Sequence, residues 1–277
     1  MSRIAFLGLG RMGAPMARRL LEHEHEHEHE HELVVWNRTA ERTQPLVAAG
    51  AVAAPTPAEA ADRADVVITM LADPAALEAV LFGAEGVART IRPSACLVEM
   101  STVGPGAVLA LKARLPAGTG FVDAPVMGSV GPAARGELTV LAGGDVGRVE
   151  ELLGTFGRVV NCGEAGSGAA RKLVLISAAL AGVTLVGEVL ALAEALGVSR
   201  DVAMDGLAGG PLVGSVQRIR GTEGDFDVSL AAKDLTLATD AAALPQLAAA
   251  RDWLRTAAAE GAAGRDMRNV VDHIHAG

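Results

Sequence analysis

Arg3-Ile4-Ala5-Phe6-Leu7-Gly8-Leu9-Gly10-Arg11-Met12-Gly13, running on as Ala14-Pro15-Met16-Ala17-Arg18-Arg19-Leu20, decides the fold. Ile4 to Leu7 is a short apolar run, the length of a buried parallel strand. Three glycines follow at the spacing G-x-G-x-x-G, and an amphipathic helical pattern starts at once. Gly8 suits a tight turn, Gly10 lets backbone approach a pyrophosphate, and Gly13 lets the helix pack closely on the strand. The helix N-terminus adds N–H donors and a partial positive charge. A strand, this glycine spacing and a helix in that order predict a dinucleotide-binding βαβ unit.

The rest of the chain must fit around that unit. Its 277 residues suffice for one large domain or two medium ones. No uninterrupted apolar run approaches the ~20 residues that a membrane helix needs, and the short apolar stretch before Gly8 leads to no expectation of a signal peptide. The net charge of −9 argues against a nucleic-acid surface. Cys96 and Cys162 are expected in strands as buried free thiols, consistent with a reducing, cytoplasmic setting.

One tract stands apart. Residues 22–32 alternate strictly from Glu22 through His23 and onward to His31 and Glu32, and hold five of the seven histidines. Such an array could bind a divalent ion, but native metal sites draw ligands from separate elements and support them from behind. No metal is therefore expected. Asn37 stands 24 residues beyond Gly13, where about 20 are usual. The repeat is accordingly expected to protrude as a tolerant surface loop that leaves the glycine turn intact.

Leu33-Val34-Val35-Trp36 then predicts a second strand, ending in Asn37-Arg38-Thr39. NAD enzymes commonly place an acid here to hold the ribose. Neither Asp nor Glu is present. Asn37 can hydrogen-bond a ribose and Arg38 can pair with a 2′-phosphate, so NADP(H) is the expected cofactor. Thr39 is positioned to cap the next helix, and Thr56-Pro57-Ala58-Glu59 is a capping box with proline at the first helical position.

Strand signals recur at Asp65–Leu71, Ala95–Met100, Gly120–Asp123 and Leu138–Ala142. Leu71-Ala72-Asp73 and Ser101-Thr102 follow strand C-terminal ends, where open α/β sheets bind ligands. For Ser101 and Thr102 a helix N-cap is the competing role. From about Gly163 strand signals stop, and a helical apolar pattern runs from Ala169 to about Leu196, with Gly197 ending it. Further helices are expected at Asp201–Leu207, Ser229–Ala243, Leu244–Ala259 and Arg265–His273, with Trp253 and Phe226 in their core. The fold class is thus α/β: an N-terminal Rossmann-type, doubly wound sheet over residues 1–162, and an all-α C-terminal domain over 163–277. A long interdomain helix joins them.

Several motifs, in this order and spacing, resemble the β-hydroxyacid dehydrogenase family, which includes 3-hydroxyisobutyrate dehydrogenases and glyoxylate/succinic semialdehyde reductases. They are Gly8 through Ala17, Asp123-Ala124-Pro125-Val126-Met127-Gly128-Ser129, Gly166 through Lys172, and Phe226 through Leu235. The resemblance covers essentially the whole chain except the Glu-His tract. It implies cofactor contacts from Gly8, Leu9, Gly10, Arg11, Met12 and Gly13, and a late contact from Lys233. It also implies substrate contacts from Met127, Gly128 and Ser129, and a catalytic Lys172. An ammonium at Lys172 would hydrogen-bond a carbonyl oxygen, stabilise the developing alkoxide and deliver the proton. A homodimer or homotetramer acting on a small carbonyl, hydroxyacid or imine is implied as well, with no nucleic-acid or membrane partner.

Two positions depart from the family pattern. Met127 stands where a serine is usual. Ile176, one helical turn after Lys172, stands where an asparagine helps bind substrate and hold the lysine. Both make the pocket less polar. Imine reductases share the architecture and the Trp-Asn-Arg-Thr strand end, but typically carry Asp or Tyr at the position of Lys172; imine reduction is the alternative activity. A non-catalytic NADPH-binding protein is the third reading, and the presence of Lys172 counts against it.

Overall fold

The computed structural model describes residues 2–27, 31–222 and 225–276. Nine strands form one sheet among these residues: β1 (Ser2–Leu7), β2 (His31–Trp36), β3 (Val52–Ala53), β4 (Val66–Thr69), β5 (Cys96–Glu99), β6 (Gly120–Asp123), β7 (Val126–Met127), β8 (Leu138–Gly144) and β9 (Gly157–Gly163). Their order is β3-β2-β1-β4-β5-β6-β8-β7, with β9 also paired to β8. The first six are parallel in the order expected of a dinucleotide-binding domain. Antiparallel pairing begins where β8 meets β6 and β7.

The central strands are buried on both faces, so they read as continuous apolar runs without alternation. Ile4 and Phe6 face one side with Ile68, Val98 and Val122. That side is covered by α1 (Gly13–His27), α2 (Gln44–Val47), α6 (Val130–Arg135) and α7 (Glu150–Gly154), through Met16, Leu46, Ala133 and Leu153. Ala5 and Leu7 face the other side with Val67, Leu97 and Phe121. There, α3 (Pro57–Ala61), α4 (Pro74–Phe82) and α5 (Pro105–Lys112) bring Ala60, Leu77 and Leu111. Thr56 caps α3 as read: its hydroxyl accepts the Glu59 N–H at 3.1 Å, with Pro57 at the first position, while the Glu59 carboxylate accepts from that hydroxyl at 3.1 Å.

The chain divides into two compact units, residues 1–172 and 173–277. The division falls inside α8 (Ser167–Ala195), whose first turn is held by the sheet. Within the second unit, α8 packs Leu180, Val183, Val186 and Leu190 onto α9 (Arg200–Ala208), α10 (Val213–Arg220), α11 (Val228–Ala241), α12 (Pro245–Ala257) and α13 (Val270–Ala276). By length and composition α8 would suffice to cross a membrane, which corrects the expectation from uninterrupted runs. An 18-residue window reaches a mean hydropathy of 2.2, because glycine and alanine bridge its larger apolar residues.

Several local expectations are revised. The Glu-His tract does not begin as a protruding loop: α1 continues to His27, while His31 and Glu32 open β2 opposite Ser2 and Arg3. Glutamate is a good helix former, so the tract extends the helix it follows. Its far end adds to the parallel ladder, with Ser2 Oγ bonded to His31 Nδ1 and Arg3 Nη1 at 3.2 Å from Glu32 Oε2. Residues 28–30 lie outside the described residues. Among the described residues, no group of three His, Cys, Asp or Glu is placed to hold a metal.

Cys96 is buried, and burial pushes its thiol up to about 11, whereas Cys162 is only half-buried because β9 forms the sheet's edge. Trp253 and Phe226 flank the second core without entering it. Trp253 sends its indole N–H to Glu188 Oε1 at 2.9 Å, a polar demand that keeps the ring at the rim.

Candidate active site

Parallel register brings the last residues of five strands into one row: Trp36, Leu7, Thr69, Glu99 and Asp123. Each is followed by a segment singled out from the sequence, so these segments leave the sheet along one edge. The glycine turn is tied to the neighbouring strand end. Gly8 N–H donates to the Trp36 carbonyl and Leu9 N–H to Asn37 Oδ1, each at 2.9 Å. Asn37 Nδ2 in turn donates to the Thr39 carbonyl at 2.9 Å. Both ends of the Asn37 amide thus help to shape the turn, which leaves its second N–H as the donor available to a ribose.

Arg38 and Thr39 are exposed beside that turn. Among the described residues Arg38 has no hydrogen bond or ion pair. Thr39 occupies the cap position of a short 3-10 turn, but its hydroxyl makes no capping bond. The turn itself has the shape a pyrophosphate needs. A Cβ on Gly10 would meet no heavy atom within 4 Å, so the space beside it is open. A Cβ on Gly13 would stand 1.9 Å from the Gly8 carbonyl oxygen, which is why the helix can pack so closely only with glycine there. No acidic side chain occupies the first turn of α1. Exposed Arg11 and half-buried Met12 complete the turn. The residues present thus fit a dinucleotide.

The next strand ends are bonded to each other. Ser101 accepts the Leu71 N–H at 2.8 Å, and Ser101 N–H donates to Glu99 Oε1 at 2.7 Å. Ser101 is not a helix cap. Gly104 occupies that position on α5, with a backbone φ of 81°. Thr102 is half-buried two residues before it, and Ala72 is exposed. Asp73 is occupied as the cap of α4, its carboxylate accepting the Ala76 N–H at 2.7 Å.

Asp123 ends β6 and is fully buried. Its carboxylate accepts the Gly166 N–H at 2.6 Å and the Ala169 N–H at 2.7 Å, at the N-terminus of α8. Burial raises its pKa above the ordinary carboxylate value, and these backbone donors offset only part of that rise. An anion here complements the helix dipole, which has no acidic residue of its own in the first turn. Gly168 allows this approach: a Cβ there would lie 2.1 Å from the Leu141 carbonyl oxygen.

On the next turn of α8, Lys172 is only 8% exposed. Its Nζ donates to the Val126 carbonyl at 2.7 Å and lies 3.6 Å from Met127 Sδ. Met127 is thus beside the Lys172 side chain. Gly128 is exposed with φ 136°, and half-buried Ser129 precedes α6 without capping it by a side-chain bond. Ile176 follows Lys172 by one turn of α8 and packs against the second unit's core. Lys233, on α11 of that unit, lies 2.9 Å from Asp234 Oδ1.

Asp123, Val126 and Glu99 were not singled out as site residues from the sequence. A buried acid at the end of an apolar strand was the available signal for the two carboxylates. Nothing in the residue type of Val126 marks its carbonyl as the lysine's acceptor.

This edge, with its open glycine turn, belongs to an oxidoreductase carrying an NAD-binding domain for a nicotinamide cofactor. Residues 3–166 match the family model described as the NAD binding domain of 6-phosphogluconate dehydrogenase. The chain is 34% identical to the 3-sulfolactaldehyde reductase of Escherichia coli (strain K12), over 99% of this chain and 96% of that protein. It is 31% identical to glyoxylate/succinic semialdehyde reductase 1 of Arabidopsis thaliana, over 98% of each. A solved 3-hydroxyisobutyrate dehydrogenase of Mycobacterium tuberculosis superposes with a TM-score of 0.82 at 28% identity, covering 99% of both chains. The chain belongs to the β-hydroxyacid dehydrogenase family.

Proposed function

We propose that the protein is an NADP(H)-dependent oxidoreductase that interconverts a small carbonyl compound and its alcohol, with Lys172 as general acid and base. The observation that carries this reading is the buried Lys172 ammonium, held at 2.7 Å by the Val126 carbonyl on a helix anchored by Asp123. A nicotinamide dinucleotide, when bound, supplies the hydride. The chain's own work is to bind, orient and move a proton. Val126 takes one of the three Lys172 N–H donors, which aims the remaining ammonium protons. In reduction, Lys172 donates to the carbonyl oxygen and stabilises the charge developing there; in oxidation it accepts the hydroxyl proton.

The glycine turn receives the pyrophosphate through backbone N–H groups, and Asn37 holds that turn in shape. Arg38, exposed at the strand end where no acid stands, offers its guanidinium to a 2′-phosphate. The relatives named for sulfolactaldehyde, glyoxylate and succinic semialdehyde point to small aldehydes as the substrate class. Met127 beside the lysine and Ile176 one turn on favour a less polar member of that class.

The test is consumption of NADPH and NADH by the purified protein over semialdehydes, glyoxylate and cyclic imines. Aldehyde turnover with NADPH preferred is the expected result. Turnover of imines alone would replace this reading with imine reduction. Dinucleotide binding without any turnover would show a non-catalytic protein.

A further inference from the structure

Glu99 is 1% exposed, at the end of a strand otherwise made of apolar residues. Burying a carboxylate is costly unless its oxygens are well bonded, and an apolar residue of similar size would pack there at less cost. Its partners indicate what the carboxyl group is for. Oε2 is bonded to the Thr69 hydroxyl, and Oε1 accepts the Ser101 N–H at 2.7 Å. Thr69 ends β4, the strand next to β5, and Ser101 lies just beyond β5 itself. The Ser101 hydroxyl then accepts the N–H of Leu71, two residues past Thr69. One carboxylate therefore fastens two strand ends together.

What is fastened lies against the glycine turn. A Cβ on Gly8 would fall 2.3 Å from the Met70 carbonyl oxygen and 2.8 Å from Leu71 Cδ2. The Met70-Leu71 segment is thus a wall of the turn, with no room to shift inward. If that segment loosens, the turn loses its support.

We propose that Glu99 is a positioning residue of the dinucleotide site. It acts through Ser101 and Thr69 to hold the Met70-Leu71 wall against Gly8, without touching the cofactor. This inference rests on the reading of the edge as a dinucleotide site. It concerns affinity for the dinucleotide, and leaves the proton chemistry of Lys172 unchanged.

The experiment is titration of the purified full chain with NADPH, followed by fluorescence, for the parent and four variants whose folding is checked by circular dichroism. Glu99→Ala is expected to raise the Kd about tenfold, the scale of a lost hydrogen bond to a charged group. Ser101→Ala should do the same, and the double variant should be no weaker than the weaker single one, because the two act in series. Glu99→Gln, which can still accept from Ser101 and pair with Thr69, should restore most of the affinity. In turnover assays the KM for NADPH should rise in Glu99→Ala while kcat stays within about twofold of the parent. If Glu99→Ala does not fold, Thr69→Val removes one of the two bonds with little change of shape, and a severalfold rise in Kd is expected from it. A Kd within twofold of the parent for folded Glu99→Ala, or for Thr69→Val where Glu99→Ala does not fold, would overturn the proposal. So would single effects that multiply in the double variant. Should the parent chain bind neither NADPH nor NADH, the dinucleotide reading itself fails.

Discussion

Asp123 Oδ2 accepts the Ala169 N–H at 2.7 Å, so the last residue of a strand holds the first turn of the helix that carries Lys172. Three residues after Asp123, the Val126 carbonyl accepts from Lys172 itself. A single short segment therefore anchors both the base of the helix and the tip of the Lys172 side chain. Orientation of this kind is worth a large part of a catalytic effect, because misplacing a proton donor by an ångström removes it from the reaction.

Lys172→Ala should lower kcat by about 100-fold or more, the usual scale for a general acid or base. NADPH binding, measured separately by titration, should persist because the glycine turn is untouched. Near-normal turnover of the folded variant would remove Lys172 from the mechanism.

Arg38→Ala tests the cofactor preference. Loss of a charge-assisted bond to the 2′-phosphate should raise the KM for NADPH by about 10- to 100-fold and leave NADH nearly unaffected. Equal changes for both dinucleotides would show that Arg38 does not distinguish them.

Gly168→Ala places a methyl group 2.1 Å from the Leu141 carbonyl oxygen and 2.8 Å from that of Asp123. The helix must retreat from the sheet, at a cost of about 1–3 kcal/mol in stability. Lys172 moves with it, so activity should fall even at temperatures where the protein remains folded. A denaturant titration and an activity assay on the same sample separate the two effects. Unchanged activity in the folded variant would show that the close approach is not needed.

In the second unit, Asp266 supplies a pH test independent of activity. Burial acts to raise its pKa, but Arg218 at 2.5 Å and the N–H groups of Arg268 and Phe226 outweigh it, and the net shift is downward. A carboxylate whose pKa is lowered on folding stabilises the fold above its unfolded pKa, and that stability is lost as pH falls through the folded value. Asp266→Asn should therefore cost about 2 kcal/mol at neutral pH. The deficit should begin to shrink as pH falls below about 4, the range of an unfolded carboxylate, and go on shrinking until the folded parent's carboxylate has protonated as well. A deficit of constant size across that range would assign the effect to shape and not to charge.

Much of this architecture was legible in the residue order. The run from Ile4 to Gly13 specified strand, turn and helix, because an apolar run, a glycine spacing and a helical period are local signals. The capping box at Thr56 and the helix end at Gly197 were legible for the same reason: their partners lie within a few residues. The Glu-His tract reads from sequence as a protruding loop because its strict repeat fits neither neighbouring pattern. Helix propensity and strand pairing absorbed its two ends instead.

The roles of polar side chains divided along the same line. By itself, the sequence picked out the candidates for the chemistry: the three glycines, Arg38 and Lys172. Only the tertiary structure decided how they are held. Asn37 is committed to Leu9, Asp73 to a helix cap, Ser101 to Leu71, and Asp123 to a helix 43 residues further along the chain. A hydrogen bond is satisfied by whichever partner the packed strands bring near, and residue type alone does not name that partner. Register across β4, β5 and β6 placed Thr69, Glu99 and Asp123 side by side, and that row exists only once the sheet has formed.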